Sequence, residues 1–180
     1  MPRGLLISAS LALAGCALLP KASPPSPPLL PPAALGAAHQ AQQVLHARFG
    51  EREIALQCAL VADSAAVTLV AVGALGRRLF TASYDGARLN AQTDPQAQLP
   101  LPPERVLADV QFALWPLAAW QSRLEGSAWQ IEQPQPGLRR LSYRGRWYEE
   151  VLYGDAAHPW RGRLRIANFA LGYTLDIVPQ

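Results

Sequence analysis

Past about residue 37 the chain alternates apolar and polar positions with a period of two. In "EIALQCALVAD" Ile54, Leu56, Cys58 and Leu60 oppose Ala55, Gln57, Ala59 and Val61, which predicts a half-buried strand. After Asp63-Ser64 comes "AAVTLVAVG", then "RRLFTASY", closed by Asp85-Gly86, a strong hairpin signal. "ARLNAQ" returns from that turn. Short connections between such runs predict antiparallel pairing. "QAQQVLHARFG", just before them, fits a helix or a strand equally well.

The period then changes. "LPLPPERVLADVQFALWPLAAWQSRLEG" reads as helical, with Pro102 and Pro103 suited to a first turn. Leu107, Val110, Leu114 and Leu117 form a stripe. Pro116 lacks a donor and predicts a kink or restart there, and Gly126 a stop. Strand-like runs resume in "SAWQIEQ", "GLRRLSYRG", "RWYEEVLYG", "RGRLRIANF" and "GYTLDIVP", with "DAAHPW" as a longer loop. The expectation is about nine strands and one broken helix: a mainly β (α+β) fold, a curved antiparallel half-barrel with a helical lid.

One feature departs from a sheet with one wet face. The run Val67 to Val72 is apolar on both sides, and Phe112, Trp115 and Trp120 lie off the helical stripe. Apolarity on two faces of an antiparallel fold predicts an enclosed cavity or a deeply curved sheet, with a thick core as the alternative. For the cavity, the expected lining residues are Phe80, Phe112, Leu114, Trp115 and Trp120.

The first 36 residues follow another grammar. Arg3 precedes an apolar run from Leu5 to Ala14, shorter than the ~20 residues that span a bilayer. Small residues Ala14 and Gly15 follow, as at a signal cleavage site. Leu13-Ala14-Gly15-Cys16 resembles the bacterial lipobox. That resemblance implies cleavage between Gly15 and Cys16 and acylation of Cys16. Two or more acyl chains hold a protein stably where one does not. Ala17, rather than Asp, implies the outer membrane by likeness to enterobacterial sorting rules. "PKASPPSPPLLPPAALG" cannot be helix or central strand and predicts an extended spacer. The expected organisation is a signal peptide over 1–15, a lipidated Cys and tether over 16–36, and one domain over 37–180.

Charge narrows the picture little. The formal net charge is +3, and Lys21 is the single lysine beside fifteen arginines. No long basic run occurs, and Arg163 and Arg165 alternate with Leu164 and Ile166 as on a wet strand face. Nucleic acid is not an expected partner. With Cys16 lipidated, Cys58 is the domain's lone thiol, in an apolar stretch that suits a small core residue. His39, His46 and His158 lack metal-ligand spacing. Adjacent Glu149 and Glu150 would point to opposite faces of a strand. Neither a nucleophile elbow nor a phosphate loop is present. No enzyme activity, cofactor or metal is expected.

Two resemblances add to this. "VTLVAVGALGRRLFTASYDG" is similar to a strand–loop–strand of the LolA/LolB superfamily, half-barrels closed by helices over an acyl-binding cavity. The likeness implies a membrane or cargo loop at Leu75, followed by Gly76. "GRRLFTASYDG", "LADVQFALWP" and "RIANFALGYTLDIV" resemble a family of uncharacterised proteobacterial lipoproteins, domain of unknown function 3261, associated with aryl polyene and xanthomonadin gene sets. The implied protein is a lipid-anchored outer-membrane lipoprotein on the periplasmic face. It would bind or transfer an acyl, polyene or lipoprotein cargo, with the membrane, a lipid-like ligand and other lipoproteins or pigment-biosynthesis proteins as partners. The alternative is a non-catalytic docking or assembly lipoprotein.

Overall fold

The computed structural model describes residues 25–180. A 3-10 turn, Pro32–Leu35, leads into β1 (His39–Phe49), β2 (Arg52–Ala62), β3 (Val67–Val72), β4 (Arg78–Tyr84) and β5 (Leu89–Thr93). Helices α1 (Pro103–Leu114) and α2 (Leu117–Leu124) follow. The chain then forms β6 (Trp129–Gln135), β7 (Leu138–Tyr143), β8 (Arg146–Tyr153), β9 (Leu164–Asn168) and β10 (Tyr173–Pro179). The ambiguous first run is thus a strand, which makes ten strands where about nine were expected, and α1 and α2 are the expected broken helix. Pro116 separates the helices as its missing N–H requires.

All ten strands form one antiparallel sheet in the order β5-β4-β3-β2-β1-β10-β9-β8-β7-β6. Two local meanders are joined where β1 pairs with β10, from Gln43–Pro179 to Phe49–Tyr173. The edges β5 and β6 do not pair, so the sheet is open. It is also curved. Helix α1 touches β4 and β5 on one side and β9 on the other. In a flat sheet β4 and β9 would lie about 24 Å apart, five strand spacings, and a helix is only ~10–12 Å across. The sheet must therefore wrap around α1.

The wrapping accounts for the two-sided apolarity. Every residue of α1 except Glu104 is buried, as expected of a core helix rather than a surface one. The sheet covers one side and residues 27–35 cover another, with Leu30 and Leu35 in the core cluster. The expected helical lid is thus, at α1, an enclosed helix. Along β3 burial alternates strictly, with Val67, Leu69 and Ala71 inside and Val70 and Val72 half-exposed outside. The outer face of β3 lines no interior space.

The N-terminal strap is clamped to this core. Gln111, in the last turn of α1, accepts from the Leu30 N–H at 3.0 Å and donates to the Leu30 carbonyl at 3.1 Å. The Trp115 indole N–H donates to the Pro31 carbonyl at 3.4 Å. From Pro27 onward the expected tether belongs to the domain, so any free spacer is shorter than 16–36. Gln111→Met keeps the side chain's length but orphans both Leu30 backbone groups. It should cost about 1–3 kcal/mol and make residues 25–31 cut faster in limited proteolysis. Unchanged cleavage would show that the clamp does not hold the strap.

Candidate functional site

The expected site residues fall into three places. Gly15 and Cys16 lie outside the described residues. Leu75 sits at the tip of the β3–β4 hairpin. There the Gly73 N–H bonds the Arg77 carbonyl and Gly76 turns the chain back with φ +71°. Leu75 is 97 % exposed.

Phe80, Phe112, Leu114, Trp115 and Trp120 are all buried, the two tryptophans and Phe112 at 0 % exposure. The Trp120 indole N–H donates to the Gln111 carbonyl at 3.3 Å, and its ring meets Phe112 edge-on at 6.0 Å. Phe80 borders a crevice of about 10 Å³ with Leu45, Leu56, Leu101 and Val106, about one water's worth of space. These five pack on the concave face around α1, with Phe80 also bordering that crevice.

A larger opening lies elsewhere. A groove of about 300 Å³ runs between the strap (Ser26, Pro27, Leu29) and α1 (Glu104, Arg105, Ala108), with Leu89, Leu101 and Leu171 along it. Its walls are mostly apolar. Leu89 and Leu171, at its rim, are both partly in water.

Beneath Arg105 lies a buried polar cluster that sequence reasoning missed. Arg105 and Asp109 stand one turn apart on α1, with Nη2 2.6 Å from Asp109 Oδ1. Arg105 Nε donates to the Tyr173 hydroxyl at 2.8 Å, Nη1 to the Tyr148 hydroxyl at 2.7 Å, and Nη2 to Glu149 Oε2 at 2.5 Å. Tyr173 in turn donates to Asp109 Oδ2 at 2.6 Å, and Asn168 Nδ2 to Glu149 Oε2 at 3.1 Å. A bulge builds the β8 side of the cluster. Leu141 pairs with Glu149 but Ser142 with Trp147, leaving Tyr148 as the extra residue. Tyr148 and Glu149 therefore both point inward, although they are adjacent. Glu150 points outward to Arg140, as alternation requires.

Charge in the cluster does not balance with every group ionised: one guanidinium faces two carboxylates. Burial pushes Asp109 up to about 6 against the pull of Arg105. Burial, then the neighbouring Asp109, pushes Glu149 well above the usual carboxylate range. Burial also works against the Arg105 charge, but Asp109 and Glu149 outweigh it and hold the guanidinium protonated. Asp109 Oδ1, apart from its Arg105 contact, and Glu149 Oε1 make no hydrogen bond among the described residues, and both carboxyls face the same guanidinium. With both carboxyls pushed up by burial, one of the pair holding a proton leaves a single negative charge opposite the guanidinium and neutralises the cluster. Both groups are sealed from solvent, so the cluster is built to hold α1 in register.

A second buried arginine fixes the other end of α1. Arg139 Nη1 donates to the carbonyls of Phe112 at 2.7 Å and Trp115 at 2.8 Å, and Tyr153 donates to that of Ala113 at 2.7 Å. These are carbonyls a helix C-terminus leaves free. Cys58 is buried, and burial pushes its thiol up to about 12, so it stays protonated and unreactive. Among the described residues no cluster of metal-type ligands occurs, and no helix is long and apolar enough to cross a membrane.

Fold and site together define a mainly β protein, an open ten-stranded sheet wrapped on a polar-anchored core helix. The chain belongs to the family described as "Protein of unknown function (DUF3261)", whose model matches residues 40–180. No curated protein matches it.

Proposed function

We propose that this protein is a non-enzymatic envelope lipoprotein, attached through Cys16 to the outer membrane, that holds the end of a hydrophobic chain. The observation that carries this reading is the groove between the strap and α1. Its 300 Å³ is at the small end of ligand sites, so it suits one chain end rather than a whole lipid. Each methylene buried there contributes ~0.8 kcal/mol. The finer reading is a LolA/LolB-like half-barrel handling acyl or polyene chains for aryl polyene export, and it rests on the sequence resemblance.

The test is a titration of the purified full chain with a fluorescent long-chain fatty acid. Binding should saturate at one site. Leu89→Glu with Leu171→Glu, both at the rim, should weaken it by about tenfold or more, the loss of roughly one apolar side chain's contact. No saturable binding, or binding indifferent to these changes, sinks the cargo reading and leaves the docking or assembly lipoprotein.

A further inference from the structure

Antiparallel order sorts the turns between two ends of the sheet. One end holds the β2–β3, β4–β5, β6–β7 and β8–β9 connections, and the other holds β1–β2, β3–β4, β7–β8 and β9–β10. Their chemistry differs. At the first end Asp63, Asp85 and Asp155 each accept two backbone N–H bonds within their own turns. Those turns have polar tips; the apolar side chains exposed beside them, Val61, Leu89 and Leu152 at 44 %, 37 % and 44 %, lie on the flanking strands, and the long β8–β9 loop keeps Trp160 half-buried.

At the second end the turns display large apolar side chains. Leu75 projects from β3–β4, Trp147 adjoins β7–β8 at 53 % exposure, and Phe169 and Leu171 sit in β9–β10 at 55 % and 44 %. The β7–β8 turn adds exposed Arg144 and Arg146 and has no carboxylate, and the β9–β10 turn is uncharged. Arg140 lies over the Trp147 ring at 5.1 Å and Arg144 over Tyr143 at 5.4 Å. The acidic groups here are Glu51, Glu53, Asp94 and Glu104, of which Glu53 pairs with Arg48 and Asp94 with Arg77. The strap leaves at the same end: Ser26 and Pro27 border the groove beside Leu171, Leu101 and Pro102.

We propose that this end docks on a phospholipid bilayer, with Trp147, Phe169, Leu171 and Leu75 entering the headgroup–acyl boundary and Arg144 and Arg146 meeting lipid phosphates. Separate apolar tips on separate turns do not build the continuous complementary patch a protein partner needs. A bilayer boundary accepts them singly, favours tryptophan and attracts arginine. The exit of the strap beside Leu171 lets a lipid-anchored chain reach the bilayer without passing round the domain. The proposal deepens the anchored-envelope reading and rests on it for which membrane is met.

The test is hydrogen exchange on the full chain, with and without vesicles of phosphatidylethanolamine and phosphatidylglycerol. Vesicles should slow exchange in turns 73–77, 144–147 and 169–172 and leave 63–66, 85–88 and 155–162 unchanged. Trp147→Ser with Phe169→Ser, both exposed, should abolish that protection, and Arg144→Gln with Arg146→Gln should remove its dependence on phosphatidylglycerol. Vesicle binding without protection of the three turns overturns the docking surface while leaving the anchor standing. Protection at the opposite end, or by a protein partner in place of vesicles, overturns it equally.

Discussion

Arg105→Met lowers the unfolding free energy by about 3–5 kcal/mol, the cost of leaving buried carboxylates without their cation. Methionine approximates the length and packing of the side chain, so the loss is electrostatic rather than a void. Arg105 supplies four contacts to Asp109, Glu149, Tyr148 and Tyr173, and no other cation touches Asp109 or Glu149 among the described residues. A domain of this size has only ~5–15 kcal/mol in hand, so the variant should lose a large share of it in a urea titration. Glu149→Gln is the control. If Glu149 carries the cluster's proton, an amide there is neutral as the acid is, and the variant should stay within about 1 kcal/mol of the parent. Equal losses from the two variants would mean that Glu149 is ionised and the proton assignment is wrong.

Stability should fall as pH rises from about 4 to about 6, opposite to the usual acid denaturation of a carboxylate-paired protein. Asp109 titrates near 3.8 when unfolded and is pushed up to about 6 in the fold, chiefly by burial. Between those values the native state binds more protons than the unfolded one, so its advantage is complete below 3.8 and is lost as pH passes 6. A shift of about two units corresponds to roughly 3 kcal/mol. Thermal melts across that range should show the decline in the parent and a shallower one in Asp109→Asn, whose amide cannot ionise while the buried Glu149 still can. A parent profile that rises over the same range would place the ionised form of Asp109 in the folded state. The groups that face Asp109 and Glu149 are Arg105 on its own helix, Tyr148 on β8, Asn168 on β9 and Tyr173 on β10, and none of them has an ordinary titration in this window.

The strands were legible because alternation needs only a sheet with one dry face. Asp85-Gly86 and Pro116 marked a hairpin and a helix break for reasons local to those residues. β1 stayed ambiguous because Gln42 and Gln43 blur its period, and Gln43 is buried although polar. The enclosure of α1 was hidden by its composition. Arg105, Asp109 and Gln111 look like a wet face, yet each has a dedicated partner in the interior. The available signal was an arginine and an aspartate four residues apart in an otherwise apolar helix, with an unexplained Tyr148-Glu149 pair in a later strand. Alternation placed Glu149 and Glu150 on opposite faces correctly. It could not foresee the bulge that turns Tyr148 inward as well. The apolar excess was visible too, but the sequence did not distinguish a hollow from a helix that fills it.

The seam between β1 and β10 has a kinetic consequence. Each meander is a run of hairpins whose contacts are near in sequence, so either can form quickly. The β1–β10 pairs join residues more than 120 positions apart, from Phe49–Tyr173 to Gln43–Pro179. Closing so long a loop is slow, and α1 has no complete burial until it closes. Its charged cluster draws on α1, β8, β9 and β10 together. Those three strands lie on one side of the seam, so the cluster can assemble first, and closing the seam then removes the last water from the rest of α1. The chain therefore passes through a stage of two half-sheets and an exposed apolar helix, when binding by a holdase would protect it most.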